Sequence, residues 1–301
     1  MSSASNPSAG PGAEVRGGIL NETIDRVTDI LSDALAGVIV ERAVVGLFFT
    51  GVKVDAGPGL VAAGTCATPR DAVPGDICCP IATERVAFRR LAGRPAGEVM
   101  REALSPNGLA RAVGIATLNA LADLCWRRQP SPEVALLSGA DAFAATAIAP
   151  GERVVLVGAF IPFLKELKRR QLPYLVLECS PAMLKPEELP FYRPAEAAPS
   201  VVREADVLLV TGSTLLTDTL EDLLSLARPQ TRVTIVGPTV GMLPDAFLAR
   251  GADVLGSVRI SEPDAFLDLI AAGGSAPHFL GGVAEKIVLA RRAALPQARV
   301  A

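Results

Sequence analysis

The chain has 301 residues and a formal net charge of −3, with 29 Lys and Arg against 32 Asp and Glu. Without an excess of cations it does not read as a nucleic-acid binder that works through a basic surface, because neutralising phosphates needs clustered positive charge. At 50% hydrophobic and 20% charged it is too apolar to be disordered throughout, and with only 4% aromatic residues the core falls to Ala, Val, Leu and Ile.

A chain of this length suggests about two domains. The single histidine, His278, excludes a His-rich metal cage, and any histidine-dependent nucleophile would have to use it. The cysteine count, five, is odd, and Cys78 and Cys79 are adjacent, so a disulfide framework is not expected. Reduced thiols and a cytoplasmic location are the default. Residues 1–18 are rich in Ser, Ala, Gly and Pro and lack a signal-peptide pattern, so they read as a disordered tail. No apolar run approaches the roughly 20 residues that span a bilayer.

The first expected element is a helix over residues 20–35, with Asn21 as N-cap and Ile24, Val27, Ile30 and Leu31 at helical spacing. Strand-like stretches follow at 38–40, 43–50, 52–54 and 60–64, with a turn at Gly57-Pro-Gly59. Residues 65–80 read as a long irregular loop, of the kind that is functional or disordered more often than merely connecting. Helical patterns return at 82–91, 96–104 and 107–128, and residues 127–132 mark a boundary.

From Gly151 onward apolar strands alternate with helices. Strands are expected at 153–157, 174–178, 205–210, 232–236, 257–260 and 285–289, with helices at 163–170, 220–227, 243–249 and 263–271. A Pro-rich loop fills 181–199. Uniformly apolar strands between helices mean a parallel sheet covered on both faces. The expected fold class is α/β: an α+β domain at 19–130, a connection at 131–150 and a doubly wound parallel-sheet domain at 151–295.

Such sheets place their sites at the carboxyl ends of their strands. Here those ends are Gly158-Ala-Phe160, Glu178-Cys179-Ser180, Thr211-Gly212-Ser213-Thr214 and Gly237-Pro238-Thr239. Small residues, hydroxyls and nearby helix N-termini suit a small anion. Glu178 lies 20 residues after Gly158, the distance at which an acidic residue meets a ribose. The turn is G-A-F-I-P-F, without the second and third glycines of the dinucleotide fingerprint, and Phe160 would obstruct a pyrophosphate, so NAD is disfavoured. Cys66, Cys78, Cys79 and Cys179 form the second candidate set, because thiolates are soft ligands for transition and heavy metals. Their spacing is no recognised zinc pattern, and a free cysteine is commonly just a small buried hydrophobe. Cys125 belongs to a helical core pattern. His278, Asp71 and Asp76 have no evident chemical partner.

The motifs L-V-L-E-C-S-P at 175–181, A-D-V-L-L-V-T-G-S-T-L-L-T-D-T-L at 205–220 and V-G-P-T-V-G-M-L-P at 236–244, continuing to R-I at 259–260, resemble a heavy-metal chelation family. The resemblance is specific in the second half and loose in the first. It implies a Rossmann-like domain joined to an enolase-N-terminal-like α+β domain, a site between the two, and metal binding. It maps onto Glu178, Ser180, Pro181, the 211–214 loop and the 237–239 loop. Cys78, Cys79 and Cys179 are features of this sequence and not of the family.

Two readings of a ligand site therefore stay open, beside the bland one of an interaction protein whose cleft is only a seam between its domains. One is a cytoplasmic protein binding a soft transition or heavy metal ion in the cleft between its domains. The other is an enzyme or sensor binding a small anionic metabolite or nucleotide at the strand ends. Neither involves nucleic acid or membrane, and a homodimer is the default symmetric assembly.

Overall fold

Apolar residues three and four apart drive the first helix. Ile24, Val27, Ile30 and Leu31 lie buried along one face of α1 (Ile19–Leu31). The computed structural model describes residues 18–70 and 91–294. Gly18, not Asn21, precedes the first turn, and its carbonyl accepts from Glu22 N–H at 3.0 Å.

Three strands form an antiparallel meander: β1 (Ile39–Val45), β2 (Phe49–Asp55) and β3 (Val61–Ala67). The strand expected over 43–50 is split by a turn, closed by Gly46 N–H donating to Phe49 O at 2.9 Å. Gly46 lies against the helix ending near Ile270, whose carbonyl oxygen would sit 2.3 Å from any Cβ there. Thr65, Cys66 and Ala67, expected in a loop, are the last residues of β3 and pair with Gly51, Thr50 and Phe49. The helical pattern expected at 82–91 lies outside the described residues except for Leu91.

The small residues of β3 let the longest helix, α2 (Gly108–Arg128), lie directly on the sheet. Asn107 caps it, its Oδ1 accepting from Leu109 N–H and Ala110 N–H at 3.1 Å each. By length and composition α2 would also suit a bilayer, although Arg111 and Asp123 interrupt it as an apolar run. Within this fold 78% of its most apolar stretch is buried, so it serves as the central core helix.

The second sheet has eight strands in the order β4-β11-β10-β9-β8-β5-β6-β7. They are β4 (Val134–Ser138), β5 (Val154–Val157), β6 (Tyr174–Glu178), β7 (Tyr192–Pro194), β8 (Val207–Thr211), β9 (Arg232–Val236), β10 (Val254–Ile260) and β11 (Ala284–Arg291). All pairs from β7 across to β10 are parallel, and β11 runs antiparallel to both of its neighbours. From the centre, β5-β6-β7 steps one way and β8-β9-β10 the other, which is doubly wound order. The order reverses between β5 and β8. Residues 131–150, read as a connection, supply β4 at one edge, and the Pro-rich loop supplies the short edge strand β7, where Pro194 does no harm.

Both sheets share one core. A continuous cluster joins Val54 and Leu118 to Leu208 and Phe247. An ion triad adds a second tie: the buried Lys53 of β2 donates to two exposed carboxylates, Glu41 at 2.9 Å and Asp264 of the helix α3 (Pro263–Ala271) at 2.8 Å. These bonds, Asp264 first, hold the ammonium pKa above its usual value.

The closest approach of α2 to β3 is at Gly64, where a Cβ would lie 2.2 Å from Ala116 O and 2.3 Å from Ala120 N. Both atoms are helix backbone, so the helix itself would have to move. Gly64→Ala is expected to lower stability by about 3 kcal/mol or to prevent folding. Thermal unfolding checks this, and an unchanged midpoint would contradict the packing described.

Candidate functional site

The strand order reverses where Gly158, after β5, meets Thr211 at the end of β8. Gly158 has φ 89° and closes β5 so tightly that a Cβ would lie 2.7 Å from Thr211 Cγ2. Only glycine meets both conditions without strain. Next to it, the loop after β8 folds its hydroxyls onto itself. Thr211 Oγ1 and Ser213 Oγ are 2.9 Å apart, and Thr214 Oγ1 donates to Thr211 O at 2.7 Å. Gly212 and Thr214 are buried, whereas Thr211 and Ser213 remain partly open. The third strand end begins at Gly237, with φ 136°, whose N–H donates to Gly256 O at 2.9 Å. The structure thus assembles Gly158, Thr211, Gly212, Ser213, Thr214, Gly237, Pro238 and Thr239 along one rim.

Glu178 ends β6 and binds across two of these turns. Its Oε2 accepts from Ala159 N–H and its Oε1 from Cys179 N–H, each at 2.8 Å. The dinucleotide reading expected this carboxylate to meet a ribose. Instead, the protein's own anion occupies the backbone donors ahead of the helix α4 (Ile161–Arg169). A phosphate there would face a carboxylate at the very groups it needs. Ser180 takes the neighbouring turn, accepting from Ala182 N–H at 3.3 Å.

The loops of this rim contribute side-chain charge of one sign. Residues 158–163, 178–184, 211–219 and 237–244 contain Glu178 and Asp218 and no Lys, Arg or His. Asp218 already pairs with Arg111 at 3.5 Å. Glu178 is therefore the rim carboxylate whose described partners are backbone N–H groups alone, and its oxygens keep further lone pairs for a cation.

The rim is bolted to the smaller sheet through Thr239. Its Oγ1 accepts from Ala67 N–H at 3.1 Å, and the Cys66 thiol lies 3.8 Å away. Asn119, within α2, completes the bolt. The two hydrogens of its Nδ2 are shared among three carbonyl oxygens, Thr65 O at 2.7 Å, Thr239 O at 3.0 Å and Pro238 O at 3.3 Å. Sequence reasoning did not single out Asn119. The available signal was an amide, a poor helix former, in the otherwise apolar stretch T-L-N-A-L. Because β3 ends at this bolt, the chain that continues toward Cys78 and Cys79 departs from the rim itself.

The thiols divide by environment. Cys66 is wholly buried, and burial pushes its pKa up to about 12, against a smaller opposing effect of the Thr239 contact. Cys125 is also buried and raised to about 12, first by burial. Neither presents a thiolate to a metal in this fold. Cys66 thus stands behind the rim, not on it. Cys179 is exposed, directly after Glu178. Cys78 and Cys79, with Asp71 and Asp76, lie outside the described residues. His278 serves the fold: its Nδ1 lies 3.0 Å from Ser275 N and 2.9 Å from Ser275 Oγ, at the start of a single helical turn. Among the described residues no group of three or more His, Cys, Asp or Glu side chains converges on one point.

A doubly wound sheet whose strand ends are bolted to a small antiparallel sheet defines a two-part α/β protein with its open rim at the junction. Two family models, both described as "Putative heavy-metal chelation", match the chain: DUF4213 over residues 28–122 and DUF364 over residues 141–289. The chain belongs to this family. An uncharacterized protein of Methanocaldococcus jannaschii is 30% identical over 131 residues, covering 43% of this chain and 49% of that protein, so the match spans about half the relative's length. A DUF364-family crystal structure of unknown function from Pyrococcus horikoshii superimposes with a TM-score of 0.68 at 17% identity, over 90% of this chain and 98% of that one. Another, from Desulfitobacterium hafniense DCB-2, gives 0.67 at 18% identity, over 90% and 100%. At these identities the two structures show the shared fold.

The buried thiols make stability depend on alkaline pH. A thiol that ionises near 9 when unfolded and near 12 when folded favours the folded state fully below pH 9 and loses that contribution as pH rises toward 12. Cys66→Ala is expected to flatten this decline by about 1.4 kcal/mol per pH unit. Urea unfolding at several pH values above 9 measures the slope, and an identical slope in both proteins would contradict a neutral buried thiol.

Proposed function

We propose that the protein is a cytoplasmic metal-binding protein that takes a soft transition or heavy metal ion at the rim between its two parts. The observation that carries this reading is the charge of the rim: four strand-end loops that contain no Lys, Arg or His, with a carboxylate at Glu178 whose described partners are backbone N–H groups and no side-chain cation. The family's description points the same way. Glu178 supplies an oxygen ligand and Cys179 a soft sulfur ligand beside it, a mixed donor set that zinc and neighbouring metals accept. Two described ligands do not close a metal site. The adjacent Cys78 and Cys79 are the natural source of the rest, on a segment tethered to the rim at Ala67. Thr211 and Ser213 line the approach with neutral oxygens. The same charge weighs against an anionic metabolite, which would meet Glu178 with no Lys, Arg or His within the four loops.

Titration of the reduced full chain with zinc, copper(I) and nickel is expected to show saturable binding of at least one ion. Glu178→Gln, Cys179→Ser and the Cys78→Ser/Cys79→Ser pair are each expected to weaken it by about tenfold or more, about 1.4 kcal/mol. Orthophosphate and nucleotides at millimolar concentration are expected to leave the melting temperature unchanged, since a ligand of the native state must raise it. Affinities unaltered in all three variants, or stabilisation by nucleotides with no metal binding, would contradict the assignment.

A further inference from the structure

We propose that the seam between α2 and the large sheet holds one internal water molecule that bridges Asn119 and Trp126. The orientation of the Asn119 amide is fixed by its partners. Its Nδ2 faces the carbonyls of Thr65, Pro238 and Thr239, and only the nitrogen end can donate to them. Oδ1 must then point the other way, where it is buried without a hydrogen-bond partner. Asn119 is 5% exposed, so bulk water does not satisfy this oxygen. Trp126 Nε1 is buried and unpartnered as well.

Asn119 and Trp126 both line one small cavity, with Gly64, Asp123, Pro238 and Arg259 among its walls. Positions 119, 123 and 126 fall on one face of α2 by helical spacing. The cavity leaves about 20 Å³ for the centre of a water-sized sphere, above the roughly 10–15 Å³ that one water needs. Chemistry narrows the occupant further. It must donate to Asn119 Oδ1 and accept from Trp126 Nε1–H. Water does both. A metal ion cannot accept from an indole N–H, and Asp123, the carboxylate in the wall, is already paired with Arg259 at 3.1 Å and with Arg127. An anion would meet that same carboxylate. The water is thus part of the bolt: the amide that holds the Pro238–Thr239 loop from behind is itself held by a water on its other end. This site is separate from the metal rim and does not depend on it.

Trp126 is the only tryptophan, so the ¹⁵N-labelled full chain gives one indole N–H resonance. Cross-relaxation with water is expected at that resonance, with laboratory-frame and rotating-frame peaks of opposite sign, as a long-lived bound water requires. Absence of the peak, or peaks of equal sign from hydrogen exchange alone, would overturn the proposal. Gly241→Ala provides a second arm. Its Cβ would lie 3.5 Å from Asn119 Cγ and 3.1 Å from Ser257 Oγ, taking the cavity's space at a position with φ −78° that alanine adopts freely. The folded variant is expected to lose the cross peak, and an unchanged peak would overturn the assigned position.

Discussion

The carboxamide of Asn119 holds the two halves of the molecule in one geometry. It lies in the middle of α2, and its three carbonyl acceptors come from β3 on one side and from the loop after β9 on the other. In a low-dielectric seam such bonds are strong, and each acceptor left unpaired costs about 1–3 kcal/mol. Thr239 adds its hydroxyl to the same junction, bonding the last residue of β3. The shared core could tolerate small shifts between its sheets. These directed bonds cannot, and they fix which strand ends face the chain that leaves β3.

That registration gives the rim its chemical character. A doubly wound sheet ordinarily offers helix N-termini and bare backbone N–H groups to a phosphate. In this chain Glu178 fills that role from within, bonding the N–H groups of Ala159 and Cys179. The rim is left with carboxylate, thiol and hydroxyl groups and no side-chain cation in its loops. In the proposed reading, one acidic side chain turns architecture that elsewhere selects anions toward a cation.

Much of the fold was legible in the sequence because its signals are local. The apolar strands at 154–157, 207–211 and 232–236 announce a sheet buried on both faces, and Gly158 and Gly237 mark its ends. The departures came from tertiary contacts. Residues 43–50 carry strand propensity throughout, yet the chain turns at Gly46 because the α3 backbone presses there. Cys66 lies in a stretch rich in small and polar residues that reads as loop, and only pairing with Thr50 makes it strand. The same long-range contact removed Cys66 from the candidate ligands, since burial is invisible in spacing. Asn119 was hidden for a related reason. A polar residue in an apolar helix signals a partner, but only the fold shows that the partner is the strand end beside the site.

In the proposed function, Glu178 is the anchor of the metal site at the rim. Anomalous diffraction from crystals of the reduced full chain soaked in zinc tests it most directly, because it places the ion without assuming a ligand. The expected result is a peak within about 2.0–2.2 Å of a Glu178 carboxylate oxygen and about 2.3 Å of at least one cysteine sulfur. A peak confined to surface carboxylates elsewhere, with the rim around Glu178 empty, would rule out Glu178 as the anchor.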